Sequence, residues 1–151
     1  MDKNLETGKY EFVQMENTTG LSEARKLELA KSWANKLNAI KMDVSFPNRI
    51  QFSILKSLDD RFNFTNGQKM TNCSFECDVL FIITDNGYRL KFTNFFHSYN
   101  LPQNGGPTRN ALEKIHTLPV GLIHEEIKRI LLKNSNNLKK FIDSNSTDNG
   151  W

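Results

Sequence analysis

Three histidines (His97, His116 and His124), two cysteines (Cys73 and Cys77) and the carboxylate pairs Asp59-Asp60 and Glu125-Glu126 are the groups in this chain whose types could carry chemistry. Their spacing argues against most of it. His116 and His124 lie eight residues apart across Pro119 and lack the one-turn spacing that places two imidazoles on one helix face. Cys73 and Cys77 have no second cysteine pair or neighbouring histidine to complete a four-ligand zinc site. On a strand the two cysteines share a face but stand too far apart to bridge, so they read as reduced core residues. Acid–base work needs two carboxyls converging in a pocket, whereas adjacent residues on a strand or helix diverge. No nucleophile elbow, phosphate-binding loop or dinucleotide fingerprint is present. No catalytic residue, metal or cofactor is therefore expected.

Two binding features remain. Gly105-Gly106-Pro107 is expected to open a helix near Thr108, exposing backbone N–H groups to an anion, with Arg109 adding charge. Beside that connector stand Phe95, His97 and Tyr99. Phe92, Phe95, Phe96 and Tyr99 cannot all face one core in a regular strand. They either pack under the helices or, in the case of Phe95 and Tyr99, line a ligand or partner surface. Lys128, Arg129, Lys133, Lys139 and Lys140 make the last helix basic on its outer side, a solvated face or a nucleic-acid contact.

These groups must be held by one domain. A chain of 151 residues can bury a sizeable core without staples, and eleven Phe supply large apolar bodies for it. The net charge of +3 is weak and its Lys and Arg are spread along the chain, unlike the clusters of a dedicated nucleic-acid binder. No segment is long and apolar enough to span a membrane. Met1 to Thr7 is polar and charged, unlike a signal peptide. The chain as given reads as cytoplasmic, or as periplasmic or cell-envelope if an export signal was removed.

Residues 1–7 are expected to fray, residues 8–142 to form the domain and residues 143–151 to be a disordered tail. A strand is expected over Gly8 to Met15. A helix follows, capped by Ser22, with Glu23 in its positive first turn and Leu27, Ala30, Trp33, Ala34 and Leu37 on a buried stripe. Ile40, Met42, Val44 and Phe46 alternate with polar residues as a half-buried strand, and Ile50, Phe52 and Ile54 as another. A long strand runs from Thr71 to Thr84, with Leu80 and Ile82 expected under cover on its second face. Asn86-Gly87 reads as a two-residue hairpin turn, because both types tolerate positive φ. The returning strand alternates Tyr88, Leu90 and Phe92 with Arg89, Lys91 and Thr93. Ser98 to Thr108 is a polar connector, followed by a short helix from Thr108 to Leu118 and a long one from Val120 to Ile142, weak at 135–137. The order predicts an α+β two-layer sandwich: a mostly antiparallel sheet of about five strands, ordered β-α-β-β-β-β-α, with the helices on one face.

Two stretches carry a resemblance to a known family. One is Gly20-Leu21-Ser22-Glu23, continuing to Ala30-Lys31-Ser32-Trp33. The other is the hairpin from Asp85-Asn86-Gly87-Tyr88 through Phe92-Thr93-Asn94-Phe95-Phe96 to His97. Over about residues 8–97 the chain resembles DUF4468, a bacterial family found mainly in Bacteroidetes and described as having a TATA-binding-protein-like (TBP-like) fold. The resemblance implies that fold. It implies no catalytic residues, because the family has no established activity, and a TBP-like shape does not imply DNA binding. The expected function is a non-enzymatic binding or protein-interaction domain. It would use the open sheet face or the connector, with Phe95, His97, Tyr99, Gly105, Gly106 and Arg109 as contacts to an unknown protein or small ligand. A nucleic-acid-associated domain using the basic last helix is the alternative, and an enzyme of unknown class the second.

Overall fold

A computed structural model describes residues 1–18, 20–58, 71–100, 108–114 and 120–146. Its elements are β1 (Asp2–Lys3), β2 (Tyr10–Asn17), α1 (Glu23–Lys36), β3 (Ile40–Asp43), β4 (Arg49–Ser57), β5 (Thr71–Thr84), β6 (Gly87–Asn100), β7 (Thr108–Ala111), a 3₁₀ turn (Leu112–Lys114) and α2 (Val120–Ser146). The seven strands form one antiparallel sheet in the order β1-β2-β6-β5-β4-β3, with β7 paired to β6. The architecture is the expected α+β sandwich with an antiparallel sheet and two helices, but with seven strands rather than five.

The two extra strands arise where the sequence suggested irregular chain. Residues 1–7 carry β1, held against β2 by its pairing and by an Asn4 N–H bond to the Lys9 carbonyl at 2.8 Å. Ser98 to Asn100 continue β6, and Thr108 to Ala111 form β7 instead of opening a helix. Residues 101–107 of the connector and residues 115–119 lie outside the described residues.

α1 forms as its sequence dictates. The Ser22 hydroxyl accepts the Arg25 N–H at 3.1 Å, satisfying one of the free donors of the first turn. Leu29, Ala30, Trp33 and Ala34 are buried, and Trp33 meets Phe52 edge-on at 6.0 Å between ring centroids. Asn38, at φ 57°, turns the chain out of the helix, and the Ala39 N–H bonds back to the Ala34 carbonyl at 3.1 Å. α2 runs unbroken through 135–137. Its Ile123, Ile127, Leu131, Leu138 and Ile142 are all buried.

Both helices pack on the same side of the sheet, over Ile50, Phe52 and Ile54 of β4, the odd-numbered residues of β5 from Cys73 to Ile83, and Tyr88, Leu90 and Phe92 of β6. Cys73 and Cys77 are free thiols in this core. β3 departs from its expected half-burial. It ends at Asp43, its register to β4 slips at a bulge, Lys41 stands at φ 55°, and Ile40, Val44 and Phe46 are all exposed. It is an edge strand with a slipped ladder, and among the described residues it has no neighbour on its outer side to cover those side chains.

Candidate sheet-face binding surface

The aromatic run of β6 is sorted by one residue. Asn94 adopts φ 56°, and the β5–β6 register slips between Asp78↔Thr93 and Glu76↔Phe96. A β-bulge inserts one residue and so reverses the side-chain phase of the strand beyond it. Before the bulge the even residues face the helices; after it the odd ones do. Phe92, Phe95, His97 and Tyr99 thus all face the core, and Phe96 is turned to the open side. Phe75 and Phe95 meet at 6.5 Å between ring centroids, and His97 and Tyr99 at 5.1 Å.

Of the six residues expected to form a binding surface, the four described ones are divided between the two sides of the sheet, Phe95, His97 and Tyr99 on the helix side and Arg109 on the open side. Phe95 and His97 are 1% exposed and Tyr99 9%. Burial lowers the His97 pKa to about 4, so its imidazole is neutral, and its Nε2 makes no hydrogen bond. Burial also raises the Tyr99 pKa, partly offset by a hydrogen bond with Asn110. Arg109 stands on the opposite side of the sheet, its guanidinium 3.7 Å over the Phe96 ring and 3.5 Å from Glu76 Oε2. Gly105 and Gly106 lie outside the described residues, as do His116 and the Asp59-Asp60 pair. His124 packs edge-on to Tyr10 at 4.4 Å, with its pKa lowered by burial. Among the described residues no three His, Cys, Asp or Glu side chains are grouped to hold a metal ion.

The surface that sequence reading placed under cover is the open face. Its side chains lie in rows set by strand register. Met15, Arg89, Ile82 and Arg49 stand side by side across β2, β6, β5 and β4; the next row is Val13, Lys91, Leu80 and Gln51. Met15 is 68% exposed, Leu55 59% and Val13 42%. Leu80 and Ile82 are half-buried by their neighbours alone, because among the described residues no helix crosses this face. Lys91 is paired with Glu11 at 3.1 Å. Partial burial pushes the Glu11 carboxyl up, but hydrogen bonds from Lys91 and Asn4 outweigh it and hold the pKa below its usual value. Arg49 stacks over Phe46 at 3.8 Å. Among the described residues no carboxylate lies within ion-pair distance of Arg49 or Arg89, which act only at longer range on Asp43 and Glu11 respectively.

At the bulge a polar chain crosses the same face. Lys9 Nζ donates to Asn94 Oδ1 at 2.6 Å, Asn94 Nδ2 to Asp78 Oδ2 at 2.7 Å, and Ser53 Oγ to Asp78 Oδ1 at 2.8 Å. It borders a cavity of about 280 Å³ lined by Lys41, Asp43, Gln51, Phe52, Ser53 and Asp78. Both Asp78 oxygens are occupied, and His97 lies on the far side of the sheet. A serine nucleophile needs an imidazole or amine poised as its base. Ser53 has only a carboxylate that already accepts its proton, so the chain fastens the bulge rather than activating a hydroxyl.

The sequence signal for this face was the parity of β5 and β6. Once the hairpin register is fixed, Arg89 must stand opposite Ile82, and Lys91 opposite Leu80.

No family model and no curated protein sequence matches the chain. Among solved structures it is similar to the crystal structure of a TBP-like protein from Parabacteroides distasonis, with a TM-score of 0.71 and 11% identity, over 93% of this chain and 96% of that one. That likeness concerns shape, and it agrees with the antiparallel sheet under two helices described above: the chain has a TBP-like α+β fold.

Proposed function

We propose that this chain is a non-enzymatic protein-interaction domain whose open sheet face docks an acidic, partly apolar segment of a partner protein. The observation that carries this reading is the row Met15–Arg89–Ile82–Arg49, in which two arginines with no carboxylate within ion-pair distance among the described residues flank an accessible aliphatic surface. Arginine and methionine are among the side chains enriched at protein interfaces, and a charge left unpaired around an apolar centre is answered by a partner's opposite charge. The face also carries Glu11, Glu76 and Asp78, which disfavours a polyanion such as nucleic acid. The basic residues of α2 are partly spent as well, since Arg129 pairs with Glu126 and Lys139 with Asp143. The reading includes DUF4468 membership, supported by the Gly20–Trp33 helix entry and the Asp85–His97 hairpin.

The test compares proteins retained from the native source by the wild-type domain and by R49E/R89E, with a photo-crosslinker at Met15. The expected result is a partner cross-linked through Met15, with retention falling at least tenfold in the charge-reversed variant. Retention that is equal in both, or a partner that never cross-links to this face, would reject the proposal.

A further inference from the structure

A second surface lies on the helix side of the sheet, at the end of β4. Lys56 follows Ile50, Phe52 and Ile54 in the two-residue period of the strand, and so points toward α2 rather than to the open face. α2 presents Glu126, Ile130 and Lys133 to it at helical spacing. With Ser57, Arg129 and Asn134 they line a cavity of about 410 Å³, within the range of about 300–1,000 Å³ common for small-molecule sites.

Among the described residues that line this cavity, three are cations, Lys56, Arg129 and Lys133, and one is a carboxylate, Glu126. Glu126, 6% exposed, is held by Arg129 through Nε at 3.1 Å and a terminal nitrogen at 2.6 Å, a two-point pairing that occupies both oxygens. Among the described residues Lys56 and Lys133 have no carboxylate within ion-pair distance. Asn134 spends its amide on the Ile130 carbonyl at 2.9 Å. What faces the cavity is therefore a pair of ammonium groups, those of Lys56 and Lys133. A ligand that answers them must offer several acceptor oxygens and at least two negative charges.

We infer that this cavity binds a small phosphate-bearing anion, with Lys56 and Lys133 as point-charge contacts to its oxygens. The site is on the side of the sheet opposite Arg49 and Arg89, so it stands or falls independently of the docking surface proposed above.

Calorimetric titration of the whole chain with inorganic pyrophosphate tests it, on the wild type, on K56Q/K133Q and on R49Q/R89Q, which removes the same amount of charge elsewhere. Lys133 is exposed and Lys56 half-exposed, and thermal melts monitored by circular dichroism confirm that each variant is folded. The expected result is saturable one-site binding, weakened at least tenfold in K56Q/K133Q and unchanged in R49Q/R89Q. A pyrophosphate-dependent rise in melting temperature should likewise vanish only in K56Q/K133Q. No saturable binding, binding that survives in K56Q/K133Q, or an equal loss in R49Q/R89Q would each overturn the assignment, the last by showing general charge attraction.

Discussion

A Cβ on Gly87 would lie 1.9 Å from the backbone carbonyl oxygen of Glu16 and 2.8 Å from Asn17 Cα. The glycine is required because β2 approaches the start of β6 too closely for any side chain. It is not required for a left-handed turn. The two-residue loop is Asp85–Asn86, Thr84 pairs with Gly87, and none of these residues has positive φ. Gly87→Ala is expected to force the two strands apart at a cost of about 2 kcal/mol or more. Asn86→Ala should stay within about 0.5 kcal/mol, because Asn86 contributes only its carbonyl, to the Thr18 N–H at 2.8 Å. Urea unfolding of the two variants separates the explanations; equal costs would return the glycine to the turn.

Asn94 holds the bulge in two ways, by tolerating φ 56° and by linking Lys9 to Asp78. Asn94→Gly keeps the backbone but loses both hydrogen bonds, whereas Asn94→Ala loses both the bonds and the tolerance. The alanine variant should lose about 1 kcal/mol more than the glycine variant in urea unfolding. An alanine no worse than glycine would show that the bulge is set by core packing of Phe92 and Phe95 alone.

The fold was legible where a local rule coincides with the tertiary one. Ser22 caps α1, and the buried stripe of α2 keeps its phase through Ser135, whose hydroxyl bonds back to the Leu131 carbonyl at 2.7 Å without breaking the helix. It was not legible where one residue changes the period. Asn94 gives no compositional warning of a bulge, yet it decides that Phe95, His97 and Tyr99 are core and that Phe96 is not. Leu80 and Ile82 look buried by type, but whether an apolar face is covered depends on how many helices the chain has to spare. Both helices among the described residues lie on the other side. For the same reason the cationic cavity was invisible: Lys56 and Lys133 are far apart in sequence, and Lys56 reads as an ordinary strand-end lysine.

His97 makes stability depend on pH. Its pKa is lowered to about 4 by burial, against an ordinary value of about 6.5 in the unfolded chain. The folded state therefore binds fewer protons than the unfolded state between those values. The stabilisation of the neutral form is present above pH 6.5 and is lost as pH falls toward 4. The slope from this one group is at most about 1.4 kcal/mol per pH unit. His124, also lowered by burial, acts in the same direction. Urea midpoints measured from pH 7 to 4.5 should fall, and His97→Leu should fall less steeply over that window. Parallel profiles would place the acid sensitivity elsewhere.

Lys26 is 4% exposed on α1, and its ammonium makes a single hydrogen bond, to the Gly87 carbonyl at 3.3 Å. Taking an ammonium out of water costs several kcal/mol unless a close counter-charge repays it, and among the described residues no carboxylate lies within ion-pair distance here. The aliphatic stem, by contrast, fills space between α1 and the hairpin. Lys26→Met keeps that volume and removes the charge. It is expected to be neutral or to stabilise by about 1 kcal/mol, whereas Lys26→Ala empties the space and should cost about 2 kcal/mol. Urea unfolding of both variants separates packing from charge. A methionine variant as unstable as the alanine one would mean that the ammonium-to-carbonyl bond, rather than the stem, secures α1 to the hairpin.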